Sequence, residues 1–175
     1  MTIDERDAAR NGTPEPDSGL GATADPVAFG AALAGLGKRL ASEPVLVAGA
    51  ALRFGFGLAE IGSVVAARAL GASATGPTPT DDSDARFADP TWETNPGFYG
   101  LRQCYLLWAR TMTELAAAAK DEELGGKAEF VVGQMVDALA PTNFLAGNPA
   151  ALKRAFETGG ASVTSGFARF ADDVV

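Results

Sequence analysis

The chain has 175 residues, with 22 acidic and 14 basic side chains, a net charge of −8 and a sequence pI near 4.5. This is long enough for one domain with a proper core and too acidic for a nucleic-acid footprint, which needs a basic face. A single cysteine, Cys104, excludes an intrachain disulfide framework, and the chain has no histidine at all.

The chain opens on Met-Thr-Ile-Asp-Glu-Arg-Asp, which has no basic stretch leading into an apolar core and so does not read as a secretory signal. Residues 1–24 are rich in Asp, Glu, Pro, Gly and Thr, with only Ile3 and Leu20 as sizeable apolar side chains. Such a segment cannot bury enough surface to offset its ordering entropy and is expected to be a disordered tail. Asp25-Pro26 then supplies an N-cap and a proline at the first helical position. Ser42-Glu43-Pro44 repeats that logic, so residues 25–70 read as a helical hairpin with Gly71 as the C′ residue of its second helix.

That second helix, 45–70, is alanine- and glycine-rich and apolar on nearly all sides, carrying Phe54, Phe56, Leu58, Ile61, Val64 and Val65. It is expected to be buried against residues 27–41. The alternative is an exposed apolar surface that adsorbs to polymer, to a partner protein or to another copy. Arg53, Glu60 and Arg68 interrupt it, and a spanning helix needs about 20 consecutive apolar residues, so it is not expected to be a transmembrane segment. Residues 71–85, with Gly-Pro-Thr-Pro-Thr-Asp-Asp inside them, read as a flexible acidic linker.

Residues 86–175 form the last region. Asn95-Pro96 starts a third helix, in which Phe98, Leu101, Tyr105, Trp108, Met112 and Leu115 form one apolar stripe. Leu124, Ala128, Val131, Met135 and Ala138 repeat the pattern, with Asp121 as cap and Pro141 as stop. Asn148-Pro149 opens another helix, and the stripe Leu152, Phe156, Val163, Phe167 and Phe170 continues past Gly159-Gly160, so that two helices abut there or one bends. Between the last two starts, Phe144-Leu145 reads as a buried plug held by a Pro-Thr-Asn turn. No segment alternates with period two, and the predicted fold class is all-α.

Catalytic constellations are missing from this pattern. Cys104 sits in Arg-Gln-Cys-Tyr-Leu inside a predicted helix, without flanking glycines or a histidine to activate it. No G-x-S-x-G occurs. The acidic run Asp121-Glu122-Glu123 suits a helix N-terminus rather than a metal, and Asp172-Asp173 suits a solvated end. Gly55-Phe-Gly57 and Gly159-Gly160 match no phosphate or dinucleotide fingerprint and read as close-packing positions. No catalytic, cofactor-binding or metal residue is predicted.

The motifs do carry a resemblance. Phe87, Asp89-Pro90, Trp92 and Asn95-Pro96, followed by Phe98, Leu101, Gln103 and Tyr105-Leu-Leu, then Phe130, Gln134 and Asp137-Ala-Leu, lead into Pro141-Thr-Asn143-Phe144-Leu, Asn148-Pro149, Leu152 and Glu157-Thr-Gly159-Gly160. This series resembles the N-terminal region of the poly(3-hydroxyalkanoate) synthases, enzymes that resemble α/β-hydrolases and polymerise (R)-3-hydroxyacyl-coenzyme A into polyester. The resemblance implies a cysteine nucleophile in a G-x-C-x-G box, a histidine base and an orienting aspartate in the parent enzyme. None of the three lies in this chain. It therefore implies an incomplete, non-catalytic helical domain with a role in assembly, granule contact and support of a catalytic domain. The expected partners are that domain, the polyester surface and a second copy, in the cytoplasm or at granules. The alternative is a stand-alone granule- or synthase-binding protein. From the residues alone, Asp89, Pro90, Asn95, Pro96 and Asn143 read as turn and cap devices, and Trp92 and Phe98 as apolar anchors.

Overall fold

A computed structural model describes residues 26–81, 83–119, 124, 126–160, 165 and 169. The 1–24 tail, the Asp25 cap, the Asp121-Glu122-Glu123 run, Asp172-Asp173 and the stripe positions Val163, Phe167 and Phe170 lie outside the described residues.

Two proline-started helices come first, α1 (Pro26–Ala41) and α2 (Pro44–Ala69). The α2 start departs from the expected cap. Glu43 occupies the cap position without a side-chain bond to the helix and instead pairs with Arg39 at 2.8 Å, while the Ser42 hydroxyl donates to the Arg39 carbonyl. The α2 end is as expected. Gly71 adopts φ +87°, and the Gly71 and Ala72 N–H groups return to the carbonyls of Arg68 and Ala67 at 3.0 Å each, the arrangement a left-handed C′ glycine permits.

The hairpin pairing itself is corrected. α2 lies chiefly along α4 (Pro96–Ala118), and α1 lies chiefly along α5 (Lys127–Ala138). Small residues explain the first choice. A Cβ on Gly57 would stand 2.7 Å from Leu107 Cδ2, and one on Gly100 would stand 2.7 Å from Val65 Cγ2, so these glycines let the two helices meet at close range. The face that α2 buries is narrow: Ala50, Gly57, Ile61 and Val64. Its outer face is not buried, with Leu52 63% and Phe56 74% exposed. α2 is long and apolar enough to cross a bilayer by length and composition, yet one side packs on α4 and its solvent side carries Arg53 and Glu60.

α4 is the central helix. It buries Tyr99, Gly100, Arg102, Gln103, Tyr105 and Ala116, more of its circumference than the single predicted stripe, because it has neighbours on two sides. Leu101, a stripe member, is exposed instead. Leu36 of α1 joins Ala116, Ala119, Ala128 and Val132 in a core cluster onto which Leu40, Met112 and Val136 pack. The 25–70 and 86–175 stretches thus share one core. Among the described residues there are helices and turns and no strand.

The segment expected as a flexible linker is anchored over Ala74–Thr78. Arg68 donates to the Ala74 carbonyl (2.6 Å) and the Gly76 N–H donates to the Tyr99 hydroxyl (2.7 Å). Thr78 exchanges two bonds with the Gln103 amide: its N–H donates to Oε1 (3.1 Å) and its carbonyl accepts from Nε2 (2.9 Å). Beyond α4, Leu124 is buried in the turn before α5, which starts at Lys127, later than expected. The last full helix, α6 (Pro149–Glu157), ends where the Gly159 and Gly160 N–H groups bond back to the Phe156 and Ala155 carbonyls. Ser165 and Arg169 beyond it are helical.

Candidate functional site

Two motif clusters stand out, and both are joints between helices. The first is the entry to α4. Asp84 caps a 3-10 turn, Ala85–Phe87, through the Arg86 N–H. The Asp89 carboxylate accepts the Thr91 N–H at 2.8 Å, which with Pro90 starts the short helix α3 (Thr91–Thr94). This places Trp92 at the centre of an aromatic cluster, 1% exposed. Its ring lies edge-on to Phe87 (5.0 Å between centroids) and to Phe98 (5.5 Å), the preferred geometry for aromatic pairs. Asn95 then caps α4, its Oδ1 accepting from the Gly97 and Phe98 N–H groups, with Pro96 at the first helical position.

The second joint links α5 to α6. The Asn143 Nδ2 donates to the carbonyls of Asp137 and Ala138, closing the C-terminus of α5 (2.8 and 3.1 Å). Asn148 works in both directions. Its Nδ2 donates to the Thr142 carbonyl (2.8 Å) and its Oδ1 accepts the Ala151 N–H (3.1 Å), capping α6. Pro141 and Pro149 are buried, and Gly147 lies so close to the Pro141 carbonyl that a Cβ there would collide with it. The expected Phe144-Leu145 plug is corrected here. Phe144 is 52% and Leu145 44% exposed, and the side chains buried at this joint are those of Pro141 and Pro149 instead.

Arg86 ties the two joints together. It reaches Asp84 (2.9 Å), the Tyr105 hydroxyl (3.2 Å) and Asp137 (3.2 Å), while Tyr105 donates to the Val136 carbonyl (2.9 Å). The guanidinium holds the Asp84 carboxyl below its ordinary range, and burial pushes the Tyr105 phenol up. Gln134 is an exposed position on α5. Sequence reasoning missed a further network. Glu93 pairs with both Arg68 and Arg102, and Arg68 lies 3.7 Å over the Tyr99 ring. The available signal was the pair Arg102-Gln103, polar residues one turn beyond Tyr99 in a first half of α4 that is otherwise apolar.

The bonds in these arrangements position backbone. Cys104 is partly buried in mid-α4, and burial pushes its thiol above the ordinary value, the reverse of an activated nucleophile. Among the described residues, no three His, Cys, Asp or Glu side chains gather as metal ligands. A cavity of about 840 Å³ lies between α1 and α5. Its described lining includes Ala28, Ala32, Gly35, Leu124 and Phe130, with Lys38, Arg39 and Lys127, and no carboxylate, thiol or imidazole.

Residues 83–175, just over half of the chain, match the family described as the N-terminus of poly-beta-hydroxybutyrate polymerase (PhaC). The chain belongs to this family. Both joints lie inside the matched stretch, whereas α1 and α2 lie before it. The chain is 38% identical over 107 residues to poly(3-hydroxyalkanoate) polymerase 1 of Ectopseudomonas oleovorans, a match covering 61% of this chain and 18% of that protein. It is 40% identical over 104 residues to the polymerase subunit PhaC of Cupriavidus necator, covering 59% and 17%. With the polymerase of Methylorubrum extorquens it shares 40% over 101 residues, covering 56% and 16%. The match thus spans less than a fifth of the length of these relatives. No solved structure matches the chain.

Proposed function

We propose that the chain serves as the non-catalytic N-terminal helical part of a poly(3-hydroxyalkanoate) synthase, the acyltransferase that polymerises (R)-3-hydroxyacyl-coenzyme A with release of coenzyme A. Its role is assembly and support of the catalytic part, in the cytoplasm at the polyester granule. The observation that carries this reading is the match of residues 83–175 to the polymerase N-terminus. Its side chains there build helix caps and turns rather than a nucleophile, base and oxyanion site.

The test has two arms. The purified chain, given 3-hydroxybutyryl-coenzyme A, releases no coenzyme A. A Cupriavidus necator polymerase carrying this whole chain in place of its own N-terminal part makes polymer. Turnover by the chain alone, lost on Cys104→Ala, overturns the reading, and so does an inactive chimera.

A second reading, a stand-alone protein that binds granules or a separate synthase, is favoured by one observation: the exposed apolar face of α2 around Leu52 and Phe56. It calls for co-sedimentation of the chain with polyester granules and loss of that binding in Leu52→Asp/Phe56→Asp, while the chimera stays inactive.

A further inference from the structure

The cavity of about 840 Å³ between α1 and α5 falls within the size range of small-molecule sites, about 300–1,000 Å³. Small residues open it. Ala28, Ala31, Ala32 and Gly35 follow one another at helical spacing along the face of α1 that lines it, so this wall carries little side-chain bulk. A Cβ on Gly35 would stand 2.7 Å from Leu124 Cδ2, and that contact sets the two walls against each other. Of the lining, Ala32, Leu124 and Val131 are buried, and Phe130 is 43% exposed.

The charged groups of the cavity have one sign. Lys38, Arg39 and Lys127 line it, and its described lining holds no carboxylate, in a chain whose net charge is −8. Arg39 is paired with Glu43. Among the described residues, Lys38 and Lys127 enter no ion pair. Each lies three residues beyond the Gly35–Leu124 contact, one on either wall. Lys127 is also the first residue of α5, and the cap residue Gly126 makes no side-chain bond there, so the positive end of the helix dipole lies beside the lysines. Like charges around one opening repel in the empty protein, and an anion between them removes that cost.

We infer that this cavity binds a free carboxylic acid with a long alkyl chain. The carboxylate lies between Lys38 and Lys127, and the chain lies along the Ala28–Ala32 wall. Two features select this class. An uncharged apolar molecule would leave the lysines unmatched, and a small hydrophilic anion would leave the apolar wall uncovered. The inference does not rest on the synthase reading.

The experiment titrates the 175-residue chain with dodecanoate, below its micelle concentration, by isothermal calorimetry. Saturable one-to-one binding is expected. Lys38→Gln/Lys127→Gln is expected to weaken it about tenfold, and dodecan-1-ol is expected to bind the unaltered chain about as weakly as dodecanoate binds that variant. Butyrate, with the same carboxylate on a short chain, is expected to bind at least about a hundredfold more weakly than dodecanoate. Ala31→Trp, at an exposed lining position, is expected to block the cavity, while Leu52→Asp/Phe56→Asp on α2 leaves binding unchanged. Absence of saturable binding, equal affinity for the alcohol and the carboxylate, or binding lost in the α2 variant and kept in Ala31→Trp overturns the inference. So does sedimentation showing that Ala31→Trp turns a dimer into a monomer, which would assign the groove to a second copy.

Discussion

The matched region and the two helices before it are held in different ways. From Asp84 onward, the two joints described above are closed by side chains that read backbone: Asp89 on Thr91, Asn95 on Gly97 and Phe98, Asn143 on the end of α5, Asn148 on both sides of its turn. α1 and α2 are attached along their length by small residues that fit against larger ones, Gly35 under Leu124, Gly57 under Leu107 and Val65 against Gly100, with Arg68 at the end of α2 adding directional bonds to Ala74 and Glu93. Directional bonds define one path for the chain. Smooth apolar contact allows the helix to sit closely while specifying its register less strongly. The first region is therefore expected to behave as a rigid body, and α2 as the element most easily displaced.

The largest break in this contrast comes from Trp92→Ala. Removing a fully buried indole from between Phe87 and Phe98 is expected to reduce stability by about 3–5 kcal/mol, measured by urea denaturation. Gly100→Val comes next, at about 1–3 kcal/mol, by overpacking against Val65. Hydrogen exchange is expected to rise along α2 and to change little in α6, and the opposite pattern would refute the assignment of α2 as the displaceable element. Asn148→Ala removes a cap and a turn bond, for about 1 kcal/mol, whereas Glu43→Ala at the start of α2 changes stability by less than about 0.5 kcal/mol, because Glu43 makes no cap bond and its pair with Arg39 is a surface pair.

The smallest effect is that of pH. Asp84 is held below its ordinary range by Arg86, and Asp89 by Thr91. Their folded pKa values lie below the unfolded ones, so their contribution is present above about pH 4 and is lost as pH falls through the folded values. Tyr105 has the opposite shift, raised by burial, and its contribution is lost as pH rises above about 10. Thermal melts are expected to be flat between these limits, with a shallower acid-side fall in Asp84→Asn/Asp89→Asn.

What the sequence made legible was local. The Asn-Pro starts at 95 and 148, the glycine end at 71, the stop at Pro141 and the all-helical class follow from side chains that act within four residues of themselves. Partner choice did not follow. The apolar stripe of α2 reads the same whether it faces α1 or α4, and only the fit of Gly57 and Gly100 against side chains about 35 to 50 residues away decides it. Phe144-Leu145 looked like core because hydrophobicity does not state which surface covers a residue. The candidate site was legible as a row of motif residues, while Arg86 and the Glu93 network were not, since their bonds join residues up to 51 positions apart.

Gln103 meets Thr78 as one peptide unit meets another, with a donor and an acceptor presented side by side. A contact of this kind reads where the main chain runs and is indifferent to what hangs from it. Most of residues 74–80 can therefore drift in composition without losing their course over α4; position 76 cannot, because its N–H donates to the Tyr99 hydroxyl and a Cβ there would collide with the Gln103 amide. Position 78 must keep its N–H, so proline is tolerated at 77 and 79, where it already occurs, and excluded between them.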